Sequence, residues 1–198
     1  MNKRMGLEKG SSIEWIILSR SLVHEIRINI YNGDLMIIFK MPSMEKSEYD
    51  TLIEEEHICR IAFKGESHPY IAPFLYIFDG KFMYFLSTKY GKKLQHFKQN
   101  PSVTVEIEKY TPDLSNFAFV ALSGRLEEEQ DPEIKNIVRQ KFVEMIKKKN
   151  LSLNVLSALG HSPDEPIDAL LTEERNSVWK LAGVNVGDIF GLKHSGGP

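Results

Sequence analysis

Apolar and polar positions divide the chain into short alternating runs joined by tight turns, with two stretches of helical period between them. His24 to Tyr31 alternates Ile26, Ile28 and Ile30 against Arg27 and Asn29, and Asn32-Gly33 separates it from the run Leu35 to Phe39. Asn-Gly between apolar runs predicts a two-residue hairpin, because that turn needs positive φ. Residues 1–42 therefore read as an N-terminal extension, either a small hairpin or a poorly packed arm. Residues 43–198 read as the main domain.

In that domain Ser43 or Ser47 is placed to cap a helix reaching about Glu56, with Tyr49, Leu52 and Ile53 on its inner face. Three strand-like runs follow: Cys59–Lys64, Tyr70–Phe78 and Lys81–Ser87, divided by Gly65-Glu66-Ser67 and Asp79-Gly80. Lys92–Gln99 reads as a short helix ended by Asn100-Pro101, since the residue before proline leaves the helical region. Val103–Ile107 and Asn116–Leu126 alternate as strands. Asp131-Pro132 opens a second helix whose apolar positions Ile134, Val138, Phe142 and Met145 keep a helical period. Residues 149–175 read as a connection holding one short helix, and strands at Ser177–Ala182 and near Val186–Phe190 close the chain. The fold class is mainly β with helices (α+β), an antiparallel β-barrel.

Composition narrows the partners. Among 198 residues, 25 Lys+Arg face 27 Asp+Glu, and a net charge of −2 argues against a nucleic-acid partner. Apolar stretches such as Phe117 to Leu122 fall far short of the ~20 residues that span a bilayer. The one cysteine, Cys59, excludes an internal disulfide framework. With no signal-peptide pattern, a cytoplasmic protein without membrane partners is expected. His57 follows Glu54-Glu55-Glu56, but consecutive helical positions face different ways, so no metal site is expected. No Gly-x-Ser-x-Gly elbow supports nucleophilic hydrolysis.

The most informative segment is Phe85-Leu-Ser-Thr-Lys-Tyr-Gly-Lys-Lys93, at the junction of a strand and a helix. Hydroxyls, lysines and free N–H groups after Gly91 there suit a phosphate; the same residues also read as a solvated lysine-rich turn. His68 reads as a cleft residue or an ordinary turn residue, His96 on the following helix as an ordinary amphipathic surface residue, and Trp179 as core or cleft wall.

The run His68-Pro-Tyr-Ile-Ala-Pro-Phe-Leu-Tyr76, then Asp79-Gly80, Met83-Tyr-Phe-Leu-Ser-Thr-x-x-Gly-Lys-Lys93 and Asn100-Pro-x-Val103, resembles the pyridoxamine 5′-phosphate oxidase-like family of FMN-binding split-barrel flavoproteins. The resemblance covers about residues 44–128, with a looser match through Val178-Trp-Lys-Leu. It implies an antiparallel split barrel forming homodimers, with FMN in two equivalent clefts between protomers. By that resemblance Ile71, Ala72, Pro73, Phe74 and Tyr76 lie along the isoalloxazine, mainly through backbone groups. Leu86, Ser87 and Thr88 end the next strand at the phosphate, and Lys92 and Lys93 match the basic pair that binds it. Asn116 matches an amide position touching flavin across the dimer interface.

Two departures bear on activity. Tyr76 stands where true pyridox(am)ine phosphate oxidases carry a lysine, and the tail Gly191 to Pro198 lacks their Arg-x-His motif. The chain looks more like the wider group of flavoproteins that includes nitroimidazole-resistance-type reductases. The resemblance thus implies an FMN-dependent oxidoreductase passing electrons from a reduced nicotinamide to a small-molecule acceptor, with vitamin B6 not its substrate. Alternatives are a non-enzymatic flavin-nucleotide binding protein, or the same fold binding a deazaflavin or, with His194 near the C-terminus, haem. No catalytic residue is assigned.

Overall fold

Six antiparallel strands close into a barrel in the second of the chain's two units, residues 44–198; the first is residues 1–43. The computed structural model describes residues 25–31, 34–172 and 175–195. In the first unit β1 (Glu25–Tyr31) pairs antiparallel with β2 (Asp34–Lys40), Tyr31 lying opposite Asp34.

The second unit begins with α1 (Lys46–Glu55), and its cap differs from expectation. Glu45 is the N-cap, and its N–H donates to the Glu48 carboxylate at 2.8 Å, while Lys46 pairs with Asp50 at 2.5 Å. A glutamate three residues after the cap reaches back to the cap amide, and the serines are not needed. Next come β3 (Ile58–Phe63), β4 (Tyr70–Phe78), β5 (Met83–Thr88), α2 (Lys92–Gln99), β6 (Ser102–Tyr110) and β7 (Asn116–Glu128). α3 (Pro132–Lys148) is capped by Asp131, whose carboxylate accepts from the Glu133 amide at 2.8 Å. The connection after it holds two helical turns, α4 (Val155–Ala158) and α5 (Ala169–Thr172), before β8 (Asn176–Ala182) and β9 (Ile189–Ser195). Val186–Asp188, expected to begin the last strand, is a 3-10 turn held by the Asp188 carboxylate on the Asn185 amide at 3.0 Å.

Strand order is β6-β3-β4-β5-β8-β7, with β6 and β7 pairing to close the barrel. One edge of β7 is shared: Asn116–Leu122 pairs with β9 and Arg125–Glu128 with β8. Gly124 sits at the changeover, where a Cβ would lie 2.8 Å from the Ala182 carbonyl oxygen.

Inward residues of every barrel strand, among them Ile61, Phe63, Phe85, Val105, Val120 and Trp179, form the main core. α2 lays Leu94 and Phe97 on it, with Phe97 4.6 Å from Trp179, which is therefore a core residue. A second core forms outside the barrel, where Val138, Phe142 and Ile146 of α3 cover Ile77, Tyr84, Leu86 and Val178. Among the described residues, the outer face of β3, β6, β9 and the start of β4 leaves Ile58, Ile71, Tyr110 and Phe190 exposed. Among the described residues, no helix is long and apolar enough to cross a membrane.

Candidate functional site

The barrel is split beside α2. Among the described residues, β4 pairs with β5 only through Tyr76–Phe78, whereas Tyr70–Leu75 has β3 as its one partner strand. Beyond Phe85, β5 continues to Thr88 paired with β8 alone. The two strands thus diverge, leaving one backbone edge of β4 without a ladder. Pro73, which has no N–H to donate, sits in that edge, where a proline is tolerated.

The start of α2 stands at this split. Its N-cap Gly91 has φ 92° and ψ −179°, a conformation a side chain would oppose, and a Cβ there would meet nothing within 4 Å. Lys93 reaches over the ring of Phe74, its Nζ 5.0 Å from the ring centre. Burial alone acts on this amine and holds its pKa below the ordinary lysine value. It has no ion-pair or hydrogen-bond partner among the described residues. A cation partly removed from water without a counter-charge is a place prepared for an anion.

Successive residues turn ~100° around a helix, and Lys92 falls on the stripe Lys92, Gln95, His96 and Gln99, which faces the β3–β4 turn. Between that stripe and Glu66-Ser67-His68-Pro69-Tyr70 lies a cleft of about 400 Å³. Gly65 makes the turn possible, since a Cβ there would lie 2.0 Å from the His68 carbonyl oxygen.

Other expected site residues divide into two groups. Ile71 and Pro73 face outward and are exposed, Ile71 at 60%. Ala72, Phe74 and Tyr76 face the core. The Tyr76 hydroxyl is buried and donates to the Ile53 carbonyl at 2.9 Å, so its side chain serves the barrel and not a ligand. Leu86 is buried under α3. Ser87 and Thr88 are buried too, their hydroxyls donating to the Thr88 and Tyr90 carbonyls, each at 3.2 Å. The hydroxyl donors expected for phosphate are turned into their own loop, because β5 is covered on both faces. Asn116 is remote from the rest: Ile71 is level with Ala62, Thr104 and Ser123 through three strand pairings. From Ser123, Asn116 lies seven residues along β7, or about 23 Å.

The uncovered outer face carries Ile58, Tyr110 and Phe190, exposed at 52–58%. Phe190 stands 6.3 Å from Phe119, and Phe117 stacks on His194 at 5.5 Å. Arg60 bridges Glu106 and Glu108 between them. Burial, followed by the neighbouring Glu108 charge, raises the Glu106 pKa.

Sequence reasoning missed the near-parallel stack of Tyr70 on His96, 4.9 Å apart at 18°. The i, i+4 spacing of Lys92 and His96 was its one available signal. His57 is half-buried, with Nδ1 enclosed and unpartnered, and no metal-binding cluster occurs among the described residues.

Residues 45–165 match the family model described as pyridoxamine 5′-phosphate oxidase. No curated protein matches the sequence. Among solved structures, an FAD-binding protein from Mesorhizobium loti superposes with TM-score 0.56 at 17% identity, over 78% of this chain and 99% of that one. HutZ, the haem storage protein of Vibrio cholerae, gives 0.55 at 13% identity, over 76% of this chain and 96% of the other. The FAD and haem binding protein of Mycobacterium smegmatis gives 0.55 at 11% identity, over 78% and 73%. These likenesses establish the shared split-barrel fold.

Proposed function

Because the chain belongs to the pyridoxamine 5′-phosphate oxidase family, we propose that it is an FMN-dependent oxidoreductase, acting as a homodimer between a reduced nicotinamide and a small-molecule acceptor. The observation that carries this reading is Lys93, a lysine desolvated at the split of the barrel with no counter-charge among the described residues. A flavin phosphate would supply that charge, and the first N–H groups of α2 would share it. Beside it, the unpaired edge of β4 around Ile71 and Pro73 offers backbone groups to the ring. FMN, when bound, supplies the two-electron chemistry; the chain fixes its position and excludes water on one side.

The dimer follows from what one protomer lacks. Ile58, Ile71, Tyr110 and Phe190 form an exposed apolar outer face that a second copy would cover. Asn116, about 23 Å from the level of Ile71 along its own strand, would reach the flavin from the partner. Vitamin B6 is not the substrate in this reading, since Tyr76 is a buried barrel residue in place of a phosphate-binding lysine. The similar structures are of FAD-binding and haem-binding proteins, so the absorption spectrum of the purified protein, with the mass of the released cofactor to tell FMN from FAD, is the deciding experiment. Flavin bands near ~450 nm and tighter binding of FMN than of riboflavin support the reading; a Soret band near ~400 nm overturns it.

A further inference from the structure

We propose that the turn from Leu159 to Glu165 is a clasp on the end of β5, and that His161 and Glu165 are positioning residues which hold residues 88–91 in the shape that receives the flavin phosphate. The phosphate part rests on the flavin reading above; the hold on residues 88–91 does not.

The split of the barrel creates the need. Beyond Phe85, β5 has left β4, and among the described residues its last pairs are with β8 alone, Ser87 with Ser177 and Thr88 with Asn176. A strand end paired on one edge opens more readily than one paired on both. Yet this end leads into the turn before Gly91 and Lys93, so its position helps to set where the first amides of α2 stand. A binding group has to be held near its productive place before the ligand arrives.

The turn supplies that support. It follows α4, whose end is closed by the amides of Gly160 and His161 on the carbonyls of Ser157 and Leu156, at 3.2 and 3.0 Å. Gly160 takes φ 84°, as the residue closing a helix does, and stands against Thr88: a Cβ there would lie 3.3 Å from Thr88 Cγ2. A second tie runs through Asn176, the β8 partner of Thr88. Its buried Nδ2 donates to the Leu159 carbonyl at 3.3 Å, while its own carbonyl accepts from Arg139 of α3 at 3.1 Å. Thr88 passes the hold onward, since its hydroxyl donates to the carbonyl of Tyr90, the residue before the α2 cap, at 3.2 Å.

His161 and Glu165 lock the turn itself. The His161 side chain is wholly buried, with Nδ1 3.0 Å from one Glu165 carboxylate oxygen and Nε2 enclosed without a partner. The other oxygen accepts from the Ser162 amide and from Arg175, each at 2.9 Å. The Ser162 amide first, then His161 and Arg175, hold this carboxyl down at about 2, so it stays charged at neutral pH. Arg175 immediately precedes Asn176, so one carboxylate ties the turn to the same point of β8 that faces Thr88. An apolar side chain would fill the place of His161; a hydrogen-bonded hub also fixes one geometry.

The test uses the full chain, two single variants, Glu165→Gln and Gly160→Ala, and the double variant Gly160→Ala with Thr88→Ser. Amide hydrogen exchange over residues 86–94 of the FMN-free protein reads the hold directly, and titrations with FMN and riboflavin read its use. Glu165→Gln should speed exchange in that segment by about fivefold or more, while β3 and β6 exchange as in the wild type. It should weaken FMN by about 5- to 20-fold and riboflavin by less than about twofold. Gly160→Ala should act in the same direction by pushing on Thr88. Thr88→Ser removes the methyl it meets, so the double variant should regain most of the FMN affinity, although alanine at φ 84° keeps its thermal midpoint low. A turn that only adds stability would weaken both flavins equally, with no recovery in the double variant. That result, or unchanged exchange over residues 86–94 in both single variants, overturns the proposal. If the wild type binds no FMN, the flavin reading and the phosphate role fall together, and the exchange measurement still decides the clasp.

Discussion

Lys93→Met removes the charge of the unpaired lysine while keeping an unbranched chain over Phe74. In the wild type the bound phosphate would meet this ammonium in a half-desolvated place. A hydrogen bond to a charged group contributes about 1.5–3 kcal/mol, so FMN should bind about 10- to 100-fold more weakly to the variant. Riboflavin, lacking the phosphate, should change less than twofold. The apo protein should behave in the opposite sense. Lys93 has a folded pKa below the ordinary 10.5, so the unfolded chain binds more protons and this group's contribution to stability rises with pH up to about that value. The variant should lose that rise, and its thermal midpoint at neutral pH should not fall. Phosphate binding favours the protonated amine, so wild-type FMN affinity should decline as pH climbs through the same window. Fluorescence titration of apo protein with FMN and riboflavin, alongside thermal melts, reads all of these. Equal weakening of both flavins would mean that the substitution acts through folding. Unchanged FMN binding would refute the placement of the phosphate.

Tyr76→Phe leaves the buried Ile53 carbonyl without its donor and should cost about 1–3 kcal/mol in a denaturant melt, with FMN affinity unchanged. Gly124→Ala forces a methyl to within 2.8 Å of the Ala182 carbonyl and 2.9 Å of a Val184 methyl, and should destabilise by about 1–3 kcal/mol; a neutral melt would mean the β7 changeover relaxes freely. If the chain pairs through this face as proposed, Ile58→Asp should convert a dimer of twice 22.7 kDa into monomer by light scattering and lose FMN with it. Retention of flavin by that monomer would rule out a shared cleft.

Element types were largely written in the sequence, because period and turn chemistry are local. Asp79-Gly80 and Asn100-Pro101 mark the ends of their elements, and Tyr70–Phe78 and Lys92–Gln99 have the bounds their pattern predicts. The α1 cap was misread because serine and glutamate both cap, and only geometry shows that Glu48 folds back on Glu45. The resemblance grouped candidate residues by proximity along the chain. Tertiary structure regrouped them. Ser87 and Thr88 turn into their own loop because α3 and the barrel interior cover both faces of β5. Tyr76 belongs to the barrel because strand alternation puts it on the side of Phe74 and Ala72. The divergence of β4 from β5, which opens the candidate site, depends on pairings among β3, β5 and β8 that lie far apart along the chain. Local pattern determines what each segment is; which edges stay unpaired and which charges stay unanswered are set by long-range packing.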